Sequence, residues 1–257
     1  MKKLNEIISM LDKKPVSKYS ALSGIYEKDG VFYNITNIYG GQYKYTDIEI
    51  KIPLVRLSED IRYNKSDKPA ILSYMLREFS VCVHTSNCEM AQNESNVQKG
   101  YFIVYRFGSR VIPCSAVKIN NESITLTVTA KLPFNTSAFE GGKASRMNAQ
   151  QISYAVSKRK NGIISSKALK VLLIKNLPKL AENFIAQFRY ADYEDAVCLY
   201  RQQSEIREYL KNNGYICFIG NGSLLPRKGK TEYKDTKKVV PFQSPESMEI
   251  TIPLSDG

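Results

Sequence analysis

The chain has 257 residues, 43% hydrophobic and 24% charged, which is ordinary for a globular protein and enough to bury a core. Its net charge of +12 points to a polyanionic partner, nucleic acid or an acidic membrane surface, although merely solvated lysines give the same composition. The five irregularly spaced cysteines (Cys82, Cys88, Cys114, Cys198, Cys217) do not form a secreted disulfide framework. Met1 to Leu11 has no signal-peptide core, and no uncharged apolar run approaches the roughly 20 residues that cross a bilayer, so a cytoplasmic chain with no membrane partner is expected.

Leu4, Ile7, Ile8 and Leu11 recur at helical spacing and predict a short amphipathic helix ended before Pro15. A period of two then dominates to about residue 130. Val31 to Ile35 reads as a strand between the turns Asp29-Gly30 and Gly40-Gly41, and Ile48, Ile50, Ile52 and Leu54 alternate as a half-buried strand. Ile71, Leu72, Met75, Leu76 and Phe79 switch to helical spacing, a single helix laid on the sheet. Cys82 to His84 reads as a strand and Cys88 to Gln98 as a surface loop. Two hairpins follow: Tyr101–Phe107 with Arg110–Pro113, and Ala116–Ile119 with Ile124–Ala130.

After Pro133 the character changes. Ala144 to Arg159, Ser166 to Tyr190 and Glu194 to Leu210 are predicted helices, with Pro178 breaking or restarting the second. Val197, Cys198, Ile206 and Leu210 are the expected buried positions of the third, which Asn212-Asn213-Gly214 stops. Tyr215 to Ile219 suits a buried strand, and Met248 to Leu254 alternates. The fold class is α+β: a β-rich part with hairpins over residues 1–135, a basic helical middle over 136–212, and a short β-containing, linker-like tail over 213–257, all within a single accessory domain.

Charge is concentrated in that middle. Residues 141–190 hold ten basic side chains and one acid, Glu182, so they carry nine of the net +12. Lys143, Arg146, Lys158, Arg159, Lys160, Lys167, Lys170, Lys175 and Lys179 form the candidate nucleic-acid surface. On an ideal helix Leu169, Leu172, Leu173, Leu177, Leu180, Ala181, Phe184 and Phe188 cluster on one side, with the lysines mostly opposite. Such a helix can track phosphates, and Tyr154 and Tyr190 are placed to stack on bases; a solvated helix face is the competing reading. Nothing reads base sequence, so contact should be backbone-dominated.

Catalytic devices are scarce. A nucleophile–His system would need the single histidine, His84, and no G-x-S-x-G surrounds it. Cys82, His84 and Cys88 lack a fourth zinc ligand, so no metal site is expected. Gly229-Lys230-Thr231 resembles the end of a phosphate-binding loop, but Leu224 stands where G-x-x-x-x-G-K-[ST] requires glycine, and a charged run follows instead of an apolar helix. Glu59-Asp60 and Glu194-Asp195 read as solvated charges. No catalytic residue and no cofactor are expected in this chain.

Residues 214–227, G-Y-I-C-F-I-G-N-G-S-L-L-P-R, and 240–247, V-P-F-Q-S-P-E-S, resemble the ATPases of the ABC class, in which a G-L-V-A-F-V-A-N-G-S-I-L-P-R run precedes P-F-x-S-P-x-S and then a P-loop domain. Weaker similarities are Tyr39 to Tyr43 with Asp47 to Ile52, Ile71 to Phe79, Leu132-Pro133 and Leu177-Pro178. Two departures stand out. Pro53 to Ser58 replaces the family's Q-G-D-P-F-A, and residues 134–157 intervene where the family has a short G-R-x-I-x-G turn before the Lys158 to Ile163 stretch.

The resemblance implies a dimerising P-loop ATPase with accessory domains, one relative being a kinetoplastid mitochondrial RNA-editing factor with electropositive RNA-binding regions. It implies an N-terminal domain partnered by a P-loop ATPase domain, in cis or in trans, by RNA or other nucleic acid, and by a second copy as a homodimer. ATP and Mg are implied only for the ATPase domain, which would begin about where Gly257 ends the chain; a cut piece, a split gene and a remnant without its engine are the three explanations. Arg227 and Phe242 are the candidate domain-interface residues, Arg227 also reading as a loop arginine that pins its own backbone. A purely structural docking and dimerisation module, without nucleic-acid binding, is the alternative.

Overall fold

The structure is a computed structural model, and it describes residues 1–41, 44–91, 100–104, 116–135, 162–224, 227–228, 232–233 and 240–255. It divides into two compact units, Met1–Tyr193 and Glu194–Gly257, whereas the sequence reading placed its subregion limits at 135 and 212 within one domain.

The first unit opens with α1 (Lys2–Met10), which buries Leu4 and Ile8 as the periodicity predicts. Next comes the antiparallel sheet. Strands β1 (Gly24–Lys28) and β2 (Val31–Tyr39) are joined by Asp29-Gly30, both at positive φ (54° and 76°). That pair of left-handed residues gives a two-residue turn whose twist matches the strands, with glycine carrying the conformation at least cost. Strand β3 (Tyr45–Pro53) follows β2; a register shift between Ile35 and Ile38 marks a bulge.

Beyond β4 (Tyr101–Ile103) and β5 (Val117–Ile119) comes β6 (Ser123–Lys131), which completes the order β1-β2-β3-β6-β4, with β5 also paired to β6. The predicted β5–β6 hairpin is present. The Asn120 side chain closes it by accepting from the backbone N–H of Glu122 (2.9 Å) and Ser123 (2.8 Å). Of the hairpin predicted around Gly108, only Tyr101–Ile103 lies in a described strand; residues 105–113 fall outside the described residues.

One face of the sheet is apolar through strict alternation: Val31, Tyr33 and Ile35 on β2, Ile48, Ile50 and Ile52 on β3, and Ile124, Leu126, Val128 and Ala130 on β6 are all buried. Each such large side chain contributes about 1.5–3 kcal/mol by leaving water. Helix α2 runs Lys68–Ala91, far past the predicted end. Phe79, Cys82, Val83 and Ser86 are buried at i, i+3, i+4 and i+7, a helical stripe that continues from Ile71. Cys82 to His84 is therefore helix rather than strand, and Cys88 to Ala91 is helix rather than loop. Burial pushes the Cys82 thiol up to about 11.

Strands β7 (Phe134–Asn135) and β8 (Ile163–Ile164) pair with each other. Helix α3 (Ser166–Lys170) then begins behind Ser165, whose hydroxyl accepts from the Ala168 N–H at 3.4 Å. It continues through a π turn, Val171–Asn176, into α4 (Leu177–Gln187). Pro178 lies in the first turn of α4, where its missing N–H costs least, so the helix is reset there rather than broken. Phe184 meets Phe79 edge-on at 5.7 Å. Tyr74 donates to the Arg189 carbonyl at 3.3 Å and packs with Phe188 and Tyr193.

Helix α5 (Tyr190–Asn212) opens in the last residues of the first unit and supplies the helix of the second. It buries Val197, while Cys198, Ile206 and Leu210 are only half-buried. Gly214 at φ 72° ends it, with the Tyr215 N–H returning to the Leu210 carbonyl at 2.9 Å. The expected buried strand at Tyr215 to Ile219 is absent; these residues form no strand and Ile216 is 99% exposed. Met248 to Leu254 is likewise no strand, but an irregular segment entered by the turn Glu246–Met248. Among the described residues of the tail, the β content is the pair β9 (Arg227–Lys228) and β10 (Glu232–Tyr233). Among the described residues no helix is long and apolar enough to cross a membrane.

Candidate nucleic-acid interface

The α3–π–α4 run separates its two faces cleanly. Leu169, Leu172, Leu173, Leu177, Leu180, Ala181 and Phe184 are buried, while Lys167, Val171, Lys175, Lys179 and Glu182 are exposed and Lys170 is half-buried. Exposed positions repeat every fourth residue from 167 to 179, which keeps three lysines on one strip. Lys179 is held by Glu89 of α2 at 2.8 Å, and Glu182, one turn on, lies 3.5 Å from Lys28, so the C-terminal end of the strip is partly compensated. Lys143, Arg146, Lys158, Arg159 and Lys160 lie outside the described residues, as does Tyr154. Tyr190 is half-buried and engaged with Tyr193 at a ring distance of 5.8 Å, within the protein's own aromatic cluster.

The sequence reading missed what faces the start of α3. The Lys13 N–H donates to the Ile164 carbonyl (3.0 Å), the Ile164 N–H to the Lys14 carbonyl (2.8 Å), and the Val16 N–H to the Gly162 carbonyl (3.1 Å). Asp12 accepts from the backbone N–H of Ser166 at 3.0 Å, and hydrogen bonds from Ser166 hold its carboxyl below the usual range. Residues 12–16 thus pair with 162–166. Lys13 and Lys14, both exposed, thereby lie beside Ile164, just before Lys167, and exposed Lys18 follows on the same segment. The only sequence signal was Lys13-Lys14 itself, some 150 positions away in the chain.

His84 Nε2 lies 3.8 Å from Cys88 Sγ, one turn apart on α2. Among the described residues no three His, Cys, Asp or Glu side chains gather to hold a metal. Residues 229–231 lie outside the described residues.

In the second unit the two most specific sequence runs meet. The Gly222 N–H donates to the Phe242 carbonyl and the Phe242 N–H to the Ser223 carbonyl, both at 2.8 Å. Asn221 accepts from the Ser244 N–H at 2.7 Å and donates to Glu249 at 2.7 Å. Asn, Gly and Ser in the first run therefore build a clip for Phe and Ser in the second. Phe242 is 39% exposed, and Arg227 sits opposite Tyr233 in the β9–β10 pair. At the other end of the segment, the Ser255 N–H and hydroxyl both donate to Glu205 of α5, lowering the pKa of that carboxyl.

No curated protein matches the chain. Residues 1–187 match the family described as "ATPase of the ABC class N-terminal", and residues 189–257 match the one described as "P-loop domain". The two matched regions meet close to the boundary of the two compact units at Tyr193. With its antiparallel sheet and helices inside the first match and the Asn221–Phe242 clip inside the second, the chain belongs to the ATPases of the ABC class.

Proposed function

We propose that this chain is a non-catalytic part of an ABC-class ATPase whose N-terminal region, residues 1–187, contacts RNA or another nucleic acid through its basic helical surface, while ATP and Mg are handled by the P-loop domain, in cis or in trans, whose family residues 189–257 match. The observation that carries the reading is the exposed strip of Lys167, Lys175 and Lys179 on a helix whose other face is buried. It lies in a segment holding nine of the net +12. Ammonium groups on a rigid helix neutralise phosphates without reading bases, which suits sequence-tolerant contact. Hydrolysis needs a backbone cradle followed by Lys and Ser or Thr, and the 257 residues contain no G-x-x-x-x-G-K-[ST].

The test is fluorescence anisotropy with a labelled single-stranded RNA at low salt. Reversing Lys167, Lys170 and Lys175 to Glu should weaken binding by at least about tenfold with the helix content intact. Unchanged affinity contradicts the reading.

A second reading, a docking and dimerisation module for the P-loop domain, is favoured by one observation. Ile216, Val240 and Met248 of the second unit are 99%, 87% and 72% exposed, an apolar exposure that proteins usually reserve for interfaces. Under it the lysine reversals leave RNA behaviour untouched, and changing Phe242 and Ile250 abolishes association with a P-loop domain.

A further inference from the structure

Lys13 has φ 58°, a left-handed conformation that a lysine adopts at a cost and a glycine or asparagine does not. Two bonds impose it. The Lys13 N–H reaches the Ile164 carbonyl, and Asp12 beside it reaches the Ser166 N–H, each at 3.0 Å. A long cationic side chain thus stands exposed at a backbone position suited to glycine, and an observed outlier of this kind is a reason to look for function.

We infer that Lys13, Lys14 and Lys18 are phosphate contacts and that, with Lys167 and Lys170, they form a cationic collar that binds the backbone of single-stranded RNA. This rests on the RNA-contacting function proposed above and extends its surface from one helix to three segments, 13–14, 18 and 167–170. The pairing of residues 12–16 with 162–166 brings the backbone of Lys13 and Lys14 beside Ile164, three residues before Lys167, and Lys18 follows on the same segment, just past Val16 and Ser17. Glu6 and Asp12 share the neighbourhood. Asp12 is committed to Ser166, and Glu6 is exposed on α1. Lysine, a point charge without a planar fork, suits phosphate rather than base edges.

RNA is favoured over an anionic membrane by the burial of α1. A helix lying on a bilayer inserts its apolar face, and here Leu4, Ile8 and Leu11 are already buried in the protein.

The experiment uses the full chain and a fluorescein-labelled oligouridylate, with anisotropy followed from low to moderate salt. The triple variant K13G/K14S/K18S should bind at least about tenfold more weakly, with a log–log salt slope shallower by about 2, because three phosphate contacts at roughly 0.7 each are lost. Lys13→Gly alone should weaken binding about twofold or more while Tm stays the same or rises, since glycine suits the turn; Lys13→Arg should restore affinity. A purely structural Lys13 would leave affinity and slope unmoved. If the wild-type chain binds RNA and the triple variant binds with the same affinity and slope, the collar is overturned and the helix strip stands. Should the wild-type chain not bind RNA at all, the functional reading and the collar fall together. If the triple variant keeps RNA binding but loses wild-type binding to phosphatidylserine vesicles, the collar is a lipid site and the inference is wrong.

Discussion

Glu49 of β3 accepts from Lys118 of β5 at 2.9 Å and from Asn34 of β2 at 3.0 Å, tying three strands together on the less buried side of the sheet. These hydrogen bonds hold its carboxyl below the ordinary value of 4.5. A carboxyl with a depressed folded pKa contributes stability that is fully present above its unfolded value and is lost as pH falls through the folded one. Glu49→Gln should therefore lower stability at pH 7 by about 0.5–1 kcal/mol, the range of a largely solvated pair. The difference should begin to shrink as pH drops below 4.5 and disappear once pH has fallen through the depressed folded value, and denaturant melts of both proteins from pH 7 down to well below 4.5 measure it. An equal deficit at both ends of that range would mean that the carboxylate charge plays no part. At the same scale, Tyr19 shows how a buried hydroxyl is accommodated: it donates to the Pro133 carbonyl, and burial raises its pKa.

Among the elements, the β7–β8 pair depends on one close approach. A Cβ on Gly162 would run into the Phe134 ring, and that ring is almost completely buried with no room to swing aside. Gly162→Ala should cost about 1–3 kcal/mol, the usual range for overpacking, whereas Gly41→Ala, with nothing within 4 Å of its Cβ, should be neutral; thermal melts of the two compare them directly. Strand β2 and the β5–β6 hairpin were legible because Asp29-Gly30 and Asn120 carry turn chemistry next to alternating apolar residues, whereas β1, with one buried residue, Tyr26, was not read. The length of α2 was not. Val81 and Val83 imitate a two-residue period, and the helical stripe ends in polar Ser86, so the buried set Phe79, Cys82, Val83 and Ser86 is recognisable only once the sheet beneath it is known. The run Tyr215 to Ile219 failed in the opposite sense: five mostly apolar residues read as a buried strand, yet a strand needs a neighbour, and the described residues supply none.

For the molecule as a whole, the charge map inverts the order of the chain. The exposed lysine periodicity of residues 167–179 was legible in the sequence. Lys13 and Lys14, from the first twenty residues, come beside Ile164 only through the pairing of Asp12 to Val16 with Gly162 to Ser166. No local pattern reports a contact across that separation. The motif runs at 221–223 and 242–244 were legible as a resemblance, and their reciprocal hydrogen bonds supply the physical reason for their residue types.

The most direct measurement is the salt dependence of RNA binding by the unmodified chain. If several lysines on the helix strip and its neighbours neutralise phosphates, log K should fall linearly with log salt, with a slope of about −3 or steeper at roughly −0.7 per contact. A flat response, or no retention of RNA at low salt, would contradict the claim that this basic surface binds nucleic acid.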